Sequence, residues 1–281
     1  MSGGVDGALA ATLVARLACP DCRADLAGRS HALHCPKCGR DFEDRDGIPL
    51  LLPRALAEAE PPSQPDGTSR AYQQNYRAVE RAERYNAKYG KQALKRASTR
   101  REFRLIEQLL GSVPRSEALL DLPSGGGRLS PALAPFTELI IEADVALGQL
   151  RHGRTAPPLA TPQVWLNASG FDIPLRDQSV DGTVCVRLAH HLPAASERER
   201  LVSEILRVSK RFALMTFFDF HSTKNRLRRL RQPFDGKSPK ITMTQQELRT
   251  LAGRSGFSLV TCPALSRLFS GHRYALMVRD A

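Results

Sequence analysis

The amino-acid sequence predicts an α/β fold in which a doubly wound sheet of seven strands, covered by helices on both faces, follows a small amino-terminal module. Three observations lead to this prediction. Short apolar runs alternate with segments of helical spacing from about residue 105 onward, which is typical of a parallel sheet. One of these runs leads into a glycine triplet, Gly125 to Gly127. Four of the six cysteines form two closely spaced pairs near the start.

The composition is that of a globular protein. With 281 residues, of which 42% are hydrophobic, the chain is long enough for one α/β domain and a small second unit. No apolar run approaches the roughly 18 residues of a membrane span, so stable membrane insertion is not expected. The first residues lack a basic segment followed by an apolar one, so the predicted location is the cytoplasm.

The net charge of +12 is concentrated in two segments. Residues 70–104 contain eleven Lys or Arg and three Glu, and residues 222–240 contain seven Lys or Arg and one Asp. The rest of the chain is therefore slightly acidic. A single basic helix face is usually just solvated, but two basic segments that flank one site would indicate an anionic acceptor or partner.

The cysteine pairs have the spacing C-x2-C-x12-C-x2-C and comprise Cys19, Cys22, Cys35 and Cys38. Two such turns at the ends of a hairpin bring four thiolates together in a tetrahedral set that suits zinc. Two disulfides would need an oxidising compartment, which nothing else in the sequence indicates. Cys185 and Cys262 are predicted to be isolated and buried, and His31 and His34 to be loop residues rather than ligands.

The segment from Leu17 to Pro53 resembles the zinc ribbon of the small activator subunit of tRNA and release-factor methyltransferases. The resemblance lies in Leu17-Ala-Cys-Pro20, in Cys35-Pro-Lys-Cys-Gly39 and in the ending Phe42-Glu-Asp-Arg-Asp-Gly-Ile-Pro-Leu-Leu-Leu-Pro53. A comparable module precedes the catalytic domain of rRNA guanine methyltransferases. The predicted domains are a zinc ribbon at 1–54, a Pro-rich linker at 55–67, a basic helical lid segment at 68–104 and a larger domain at 105–281.

The larger domain is organised around the run Ala118-Leu-Leu-Asp121 and the glycines that follow. Glycines let a backbone turn sharply and approach a ligand closely, although a tight connection without a ligand has the same composition. Asp121-Leu-Pro-Ser-Gly-Gly-Gly127 resembles the D-x-G-x-G-x-G loop of class I S-adenosylmethionine (SAM) methyltransferases. Pro123 replaces the first glycine of that pattern. The resemblance implies SAM contacts from Asp121, Pro123, Ser124, Gly125 and Gly127.

Later strands supply further candidates for the SAM site. A second strand, Glu138 to Val145, ends on acidic residues, and a carboxylate there can accept hydrogen bonds from both ribose hydroxyls. Asp144 matches the ribose-binding acid of the family, and Glu142 is the alternative if the strand ends earlier. After a third strand, the family pattern puts Ser169 at the usual adenine-contacting acid and Gly170 at a backbone donor to the ring.

A fourth strand, Val180 to Val186, leads into Arg187-Leu-Ala-His-His-Leu-Pro193, which resembles a segment of methyltransferases that act on small aromatic and lipid acceptors. The resemblance adds Arg187 to the SAM site. His190 and His191 follow the carboxyl end of the strand, where one could act as a general base, although paired histidines there often only pack. Strands at 212–218, near Phe257 and at 274–278 complete the sheet.

These features favour a SAM-dependent methyltransferase that modifies an oxygen or nitrogen of an anionic small-molecule or lipid-like acceptor. An rRNA or tRNA methyltransferase that holds RNA through the ribbon and the basic segments is the alternative. A binding protein that has the fold without catalysis is a further one, because fold does not imply activity. No N-P-P-Y or D-P-P-Y follows the fourth strand, which disfavours methylation of exocyclic adenine or glutamine amide nitrogen.

Overall fold

A computed structural model describes residues 12–29, 32–58, 93–235, 240–266, 268 and 270–281. Most of the predicted linker, residues 68–92 of the predicted lid segment, and His31 lie outside these ranges. Within them, no helix has the length and apolarity needed to cross a membrane.

The strands are β1 (Ala27–Arg29), β2 (Ala32–His34), β3 (Asp41–Arg45), β4 (Ile48–Leu51), β5 (Ser116–Asp121), β6 (Thr137–Asp144), β7 (Gln163–Ala168), β8 (Val180–Cys185), β9 (Ser209–Phe218), β10 (Phe257–Thr261) and β11 (His272–Arg279). The helices of the described ranges are α1 (Arg54–Ala57), α2 (Ala93–Leu110), α3 (Ser130–Leu133), α4 (Leu147–Arg154), α5 (Ala195–Val208), α6 (Thr223–Asp235) and α7 (Gln245–Arg254). Two 3₁₀ turns cover Ala134–Phe136 and Ala189–His191.

The seven strands of the larger domain lie in the order β7-β6-β5-β8-β9-β11-β10. Strands β5 to β9 are parallel to one another, and β11 is antiparallel to both β9 and β10. This confirms the predicted doubly wound sheet of seven strands. The chain runs outward from β5 through β6 to β7 and then returns to β8 on the other side of β5. The carboxyl ends of β5, β6 and β8 therefore frame a switch point, where such sheets bind ligands.

Strand β5 is buried on both faces because helices cover the sheet on each side. Ala118, Leu119 and Leu120 are completely inaccessible, as the continuous apolar run predicts. Helix α5 packs its apolar stripe on one face of the sheet, with Leu201 and Ile205 fully buried. This rigid layer fixes the positions at which the loops leave the strands.

The ribbon strands continue the same sheet. Strand β4 pairs in parallel with β7, with Leu50 opposite Asn167, so β1 to β4 extend the sheet to eleven strands. Leu17 forms an antiparallel bridge to Leu175, and both belong to one cluster of buried apolar side chains. Arg23 of the ribbon also forms an ion pair of 2.8 Å with Glu204 of α5. The ribbon and the larger domain thus share core and backbone pairing.

Candidate functional site

The glycine loop after β5 borders open space at its centre. Gly125 and Gly127 have φ angles of +58° and +72°, in the left-handed region that favours glycine. A Cβ atom on Gly125 would have Gln149 Oε1, at 3.9 Å, as its nearest neighbour, whereas one on Gly127 would lie 3.0 Å from Ser130 and Trp165. Gly125 therefore faces the space that a ligand would use, and Gly127 packs against the protein.

The first half of the loop is held by the backbone. The Leu122–Pro123 peptide bond is cis, and the Ser124 amide donates a 2.9 Å hydrogen bond to the carbonyl of Ala143. Pro123 and Ser124 thus connect β5 to the end of β6, beside the predicted ribose-binding acid.

Asp144 lies directly beside the glycine loop. Its Oδ2 accepts a 2.9 Å hydrogen bond from the Gly125 amide and its Oδ1 accepts one of 2.8 Å from the Ala146 amide. Burial raises the pKa of this carboxyl to about 6, and the amide donors oppose the rise. The two amide donors fit the ionised form, as a carboxylate that accepts ribose hydroxyls requires.

Two further carboxyls are buried under the loop. Asp121 has no solvent exposure, and neither of its oxygens has a hydrogen-bond partner among the described residues. Its pKa is raised well above the ordinary value by burial and by Glu142. Glu142, the alternative ribose acid, instead accepts hydrogen bonds from Ser130 (2.5 Å) and Gln163 (2.9 Å). Burial raises its pKa to about 7.

The predicted adenine contacts are packed among apolar side chains. Ser169 is buried, and its Oγ accepts a 3.2 Å hydrogen bond from the amide of Phe171. A Cβ on Gly170 would lie 3.2 Å from Leu201 and 3.3 Å from Leu188. The Ser169 hydroxyl is thus committed to its own turn, and Gly170 lies where a side chain would be crowded.

Arg187 has a partner that the sequence did not indicate. Its guanidinium binds the carboxylate of Glu102 through Nε (3.1 Å) and Nη2 (2.9 Å), and Arg128 donates to the same group at 2.8 Å. The Tyr274 hydroxyl donates a 2.7 Å hydrogen bond to Oε1 of Glu102 and completes this buried cluster. Burial raises the pKa of Glu102, but the two arginines outweigh that effect and lower it below its ordinary value.

The predicted histidines form a cluster with a third one. The ring of His190 lies 4.2 Å from that of His191, 4.6 Å from Phe218 and 5.3 Å from His272. Burial lowers the pKa of all three histidines, to about 2 for His190 and to about 4 for His272. The Nδ1 atoms of His190 and His272 have no hydrogen-bond partner within the described ranges. The cluster is therefore neutral at neutral pH.

A cleft of about 470 Å³ adjoins the histidine cluster and is lined in part by His272 and Phe218. Its wall combines basic and apolar side chains. The basic ones are Lys224, Arg228, Arg231 and Lys240, and the apolar ones include Leu227 and Leu268. Because Phe218 ends β9 and His272 begins the antiparallel β11, the cleft lies at the same edge of the sheet as the glycine loop.

The four predicted metal ligands converge in the ribbon, with all Sγ atoms within 4.8 Å of one another. The Cys19–Cys38 and Cys22–Cys35 pairs are 3.7 and 3.4 Å apart, close to the roughly 3.8 Å expected for thiolates around one zinc ion. Both turns close in the same way. The amides of Arg23 and Gly39, each with positive φ, donate to the carbonyls of Cys19 and Cys35.

Comparison with known proteins finds solved structures of similar fold. The structure is similar to magnesium protoporphyrin IX methyltransferase from Synechocystis PCC 6803 with bound SAH, at 15% identity and a TM-score of 0.62, over 74% of this chain and 98% of that one. It is also similar to the [4+2]-cyclase SpnF, at 14% identity and a TM-score of 0.56, over 76% of this chain and 97% of that one. The N-methyltransferase NodS from Bradyrhizobium japonicum WM9 matches at 9% identity and a TM-score of 0.51, over 66% of this chain and 98% of that one.

These likenesses show that the chain shares the fold of these two methyltransferases and of the cyclase. Residues 120–216 match the model of a methyltransferase domain family. No curated protein sequence matches the chain. Since one structural relative is a cyclase, the fold alone does not define the reaction.

Proposed function

We propose that this protein transfers a methyl group from SAM to an oxygen or nitrogen of an anionic small-molecule or lipid-like acceptor. The observation that supports this proposal best is the basic and apolar cleft beside the histidine cluster, at the same edge of the sheet as the glycine loop. A donor on the loop and an acceptor in the cleft would approach each other near His190 and His191.

The residues around the glycine loop fit SAM. The open space at Gly125 allows close approach of the nucleoside, and the carboxylate of Asp144 is positioned to accept the ribose hydroxyls. Asp121 is buried and lacks a partner among the described residues, and the ammonium group of the methionine part would favour its ionised form if it bound beside it. SAM supplies an electrophilic methyl on a sulfonium. The protein must align the acceptor with it and receive any proton that the acceptor releases.

Charge in the cleft favours an anionic acceptor. Lys224, Arg228 and Lys240 lie on its wall and would attract a carboxylate or phosphate, while Leu227 and Leu268 would contact an apolar part. The histidines would be neutral when the acceptor arrives. An anion bound beside them would raise their pKa, which would allow His190 or His191 to take up a proton.

The ribbon would hold zinc as a structural metal. Four thiolates fill a tetrahedral zinc site and leave no position for water or substrate, so no chemistry is expected at this ion. Its role would be to stabilise the ribbon, which is too small to fold on apolar burial alone.

An RNA acceptor is the second candidate, supported by the two basic segments and by the resemblance of the ribbon to modules of tRNA and rRNA methyltransferases. The apolar side chains of the cleft favour the smaller acceptor, because phosphate contacts need only charge. A protein that binds SAM without transferring it is the third.

The deciding experiment measures transfer of labelled methyl groups from SAM to total RNA and to a metabolite and lipid extract, with Lys224→Glu and Lys210→Glu variants in parallel. Lys210 is exposed at the opposite end of β9 and serves as the control. We expect label in an acidic small molecule or lipid, and we expect methyl transfer to fall in Lys224→Glu but not in Lys210→Glu. Label in RNA that falls steeply with salt would favour an RNA acceptor. SAM binding without methyl transfer to either pool would favour a non-catalytic binding protein.

A further inference from the structure

Helix α6 presents its apolar side chains to solvent, the reverse of an ordinary surface helix. Leu230 and Phe234 are 71% and 89% exposed, and Leu227 is 46% exposed. At about 100° per residue, these three side chains fall within an arc of about 60°. A soluble helix normally buries such a stripe, because exposure of large apolar groups is unfavourable.

The opposite face of α6 attaches to the domain through polar contacts. Asn225, about 180° from the centre of the apolar stripe, is buried and donates a 2.8 Å hydrogen bond to the carbonyl of Asp219. Arg229 stacks over the ring of Phe220 at 3.9 Å and donates to its carbonyl. The Asp219 side chain forms an ion pair with Arg273 of β11 at 2.7 Å. These contacts fix which face of the helix points outward.

Basic residues flank the apolar stripe on both sides. Arg226 lies about 70° from the centre of the stripe in one direction, and Arg231 and Lys224 lie about 70° and 90° away in the other. Leu268, which is 64% exposed, continues the apolar surface across the cleft from Leu227. An apolar stripe with cations on both sides has the pattern of a helix that lies in the interface of an anionic membrane.

We propose that α6 docks onto anionic lipid bilayers, with Leu230 and Phe234 inserted between the lipids and the flanking Lys and Arg against their headgroups. RNA would be held by the charges, and an unpaired base could stack on Phe234, but Leu230 and Leu227 would stay exposed to water. A second copy of the chain docked on the same stripe would place the flanking Lys and Arg of both helices side by side, and these like charges repel each other. The segment 70–104 of the same chain is itself strongly basic, so charge also disfavours it as a cover for this surface.

This docking surface borders the proposed acceptor cleft. Leu227 belongs to both, and Lys224 and Arg231 line the cleft from the same helix. A lipid-like acceptor could therefore pass from the bilayer into the cleft headgroup first. This last step rests on the proposed function, whereas the docking itself does not.

Co-sedimentation of the full chain with vesicles tests the proposal, using phosphatidylcholine alone and a 3:1 mixture with phosphatidylglycerol at physiological salt. The test variant is Leu230→Ser with Phe234→Ser. The control is Val260→Ser, which removes an apolar side chain that is 62% exposed on β10. We expect binding to the anionic vesicles only, a loss of about tenfold or more in the double variant, and no loss in the control. Circular dichroism checks that all variants are folded.

Other outcomes would overturn the proposal. Absence of binding to anionic vesicles would do so, as would binding that the double variant retains in full. If the double variant converts a dimer into a monomer and the parent ignores vesicles, the stripe covers a second copy. If the parent binds RNA and the double variant binds RNA equally well, the helix serves only as a charged surface and its apolar stripe has no docking role. Methyl transfer without vesicle binding would reject the docking while preserving the proposed function.

Discussion

The hydroxyl of Tyr274 donates a 2.7 Å hydrogen bond to the carboxylate of Glu102, although 172 residues separate them along the chain. Arg128 and Arg187 bind the same carboxylate. Four elements thus meet at one buried charge: α2, the segment after the glycine loop, the end of β8, and β11. The loop that would hold SAM is fixed to the rest of the domain through this cluster.

Replacing Glu102 with Gln should therefore destabilise the protein and weaken SAM binding. The amide keeps one acceptor but loses the negative charge that the two partly buried arginines bind. We expect a loss of about 2 to 4 kcal/mol in the free energy of unfolding, measured by chemical denaturation.

The matched control is Glu107→Gln, the same change on the same helix α2. It should leave the free energy of unfolding within about 0.5 kcal/mol of the parent, as for ordinary surface changes. Equal stability of the two variants would mean that the Glu102 cluster contributes no net stabilisation.

Asp144→Asn should weaken SAM binding by about 1 to 3 kcal/mol, the range expected for lost charge-assisted hydrogen bonds. The new amide group would also oppose one of the two backbone amides that now donate to the carboxylate. Titration calorimetry with SAM measures the effect. Glu138→Gln, an exposed change near the start of the same strand, is the control. Unchanged affinity in Asp144→Asn would reject this residue as the ribose acid.

SAM affinity should also fall in mild acid. The pKa of Asp144 is raised to about 6, and the ionised form is the one that accepts ribose hydroxyls. Below pH 6 the carboxyl is increasingly protonated, so the association constant should fall about tenfold for each further pH unit. Calorimetry between pH 5 and 8 tests this, and the Asn variant should lack this part of the dependence. A parent and a variant with parallel pH profiles would contradict it.

Freshly purified protein should contain one zinc ion per chain, held by the four clustered cysteines. Cys22→Ser should remove it and lower the melting temperature, because the ribbon shares buried side chains and a strand pairing with the larger domain. Elemental analysis and thermal unfolding measure the two effects. Cys262→Ser, outside the cluster, should retain the metal. Zinc-free parent protein would reject the site.

The sequence predicted those parts of the fold that depend on local chemistry. Apolar runs between Gly, Pro and Asp marked the strands of the larger domain to within a few residues, and the cysteine spacing predicted the four-thiol cluster. The positive φ angles of Gly125 and Gly127 agree with the sharp turn expected after β5. The assignment of individual residues to SAM stays a prediction, as does the division into domains.

Relationships between distant segments could not be predicted in this way. No local pattern indicates that Glu102 would meet Arg187 and Tyr274, or that His272 would join His190, because β11 reaches them only through its place in the sheet. The basic residues of α6 were evident, but the outward direction of its apolar face depends on the buried contact of Asn225.

The parallel pairing of β4 with β7 has a consequence for the tendency of the protein to self-associate. Without the ribbon, β7 would be the open margin of the sheet, with unsatisfied amides and carbonyls available to another strand. The ribbon covers that margin, and small zinc ribbons generally depend on their metal to fold. If loss of zinc unfolds the ribbon, the edge of β7 becomes exposed, and a strand of another copy could pair with it.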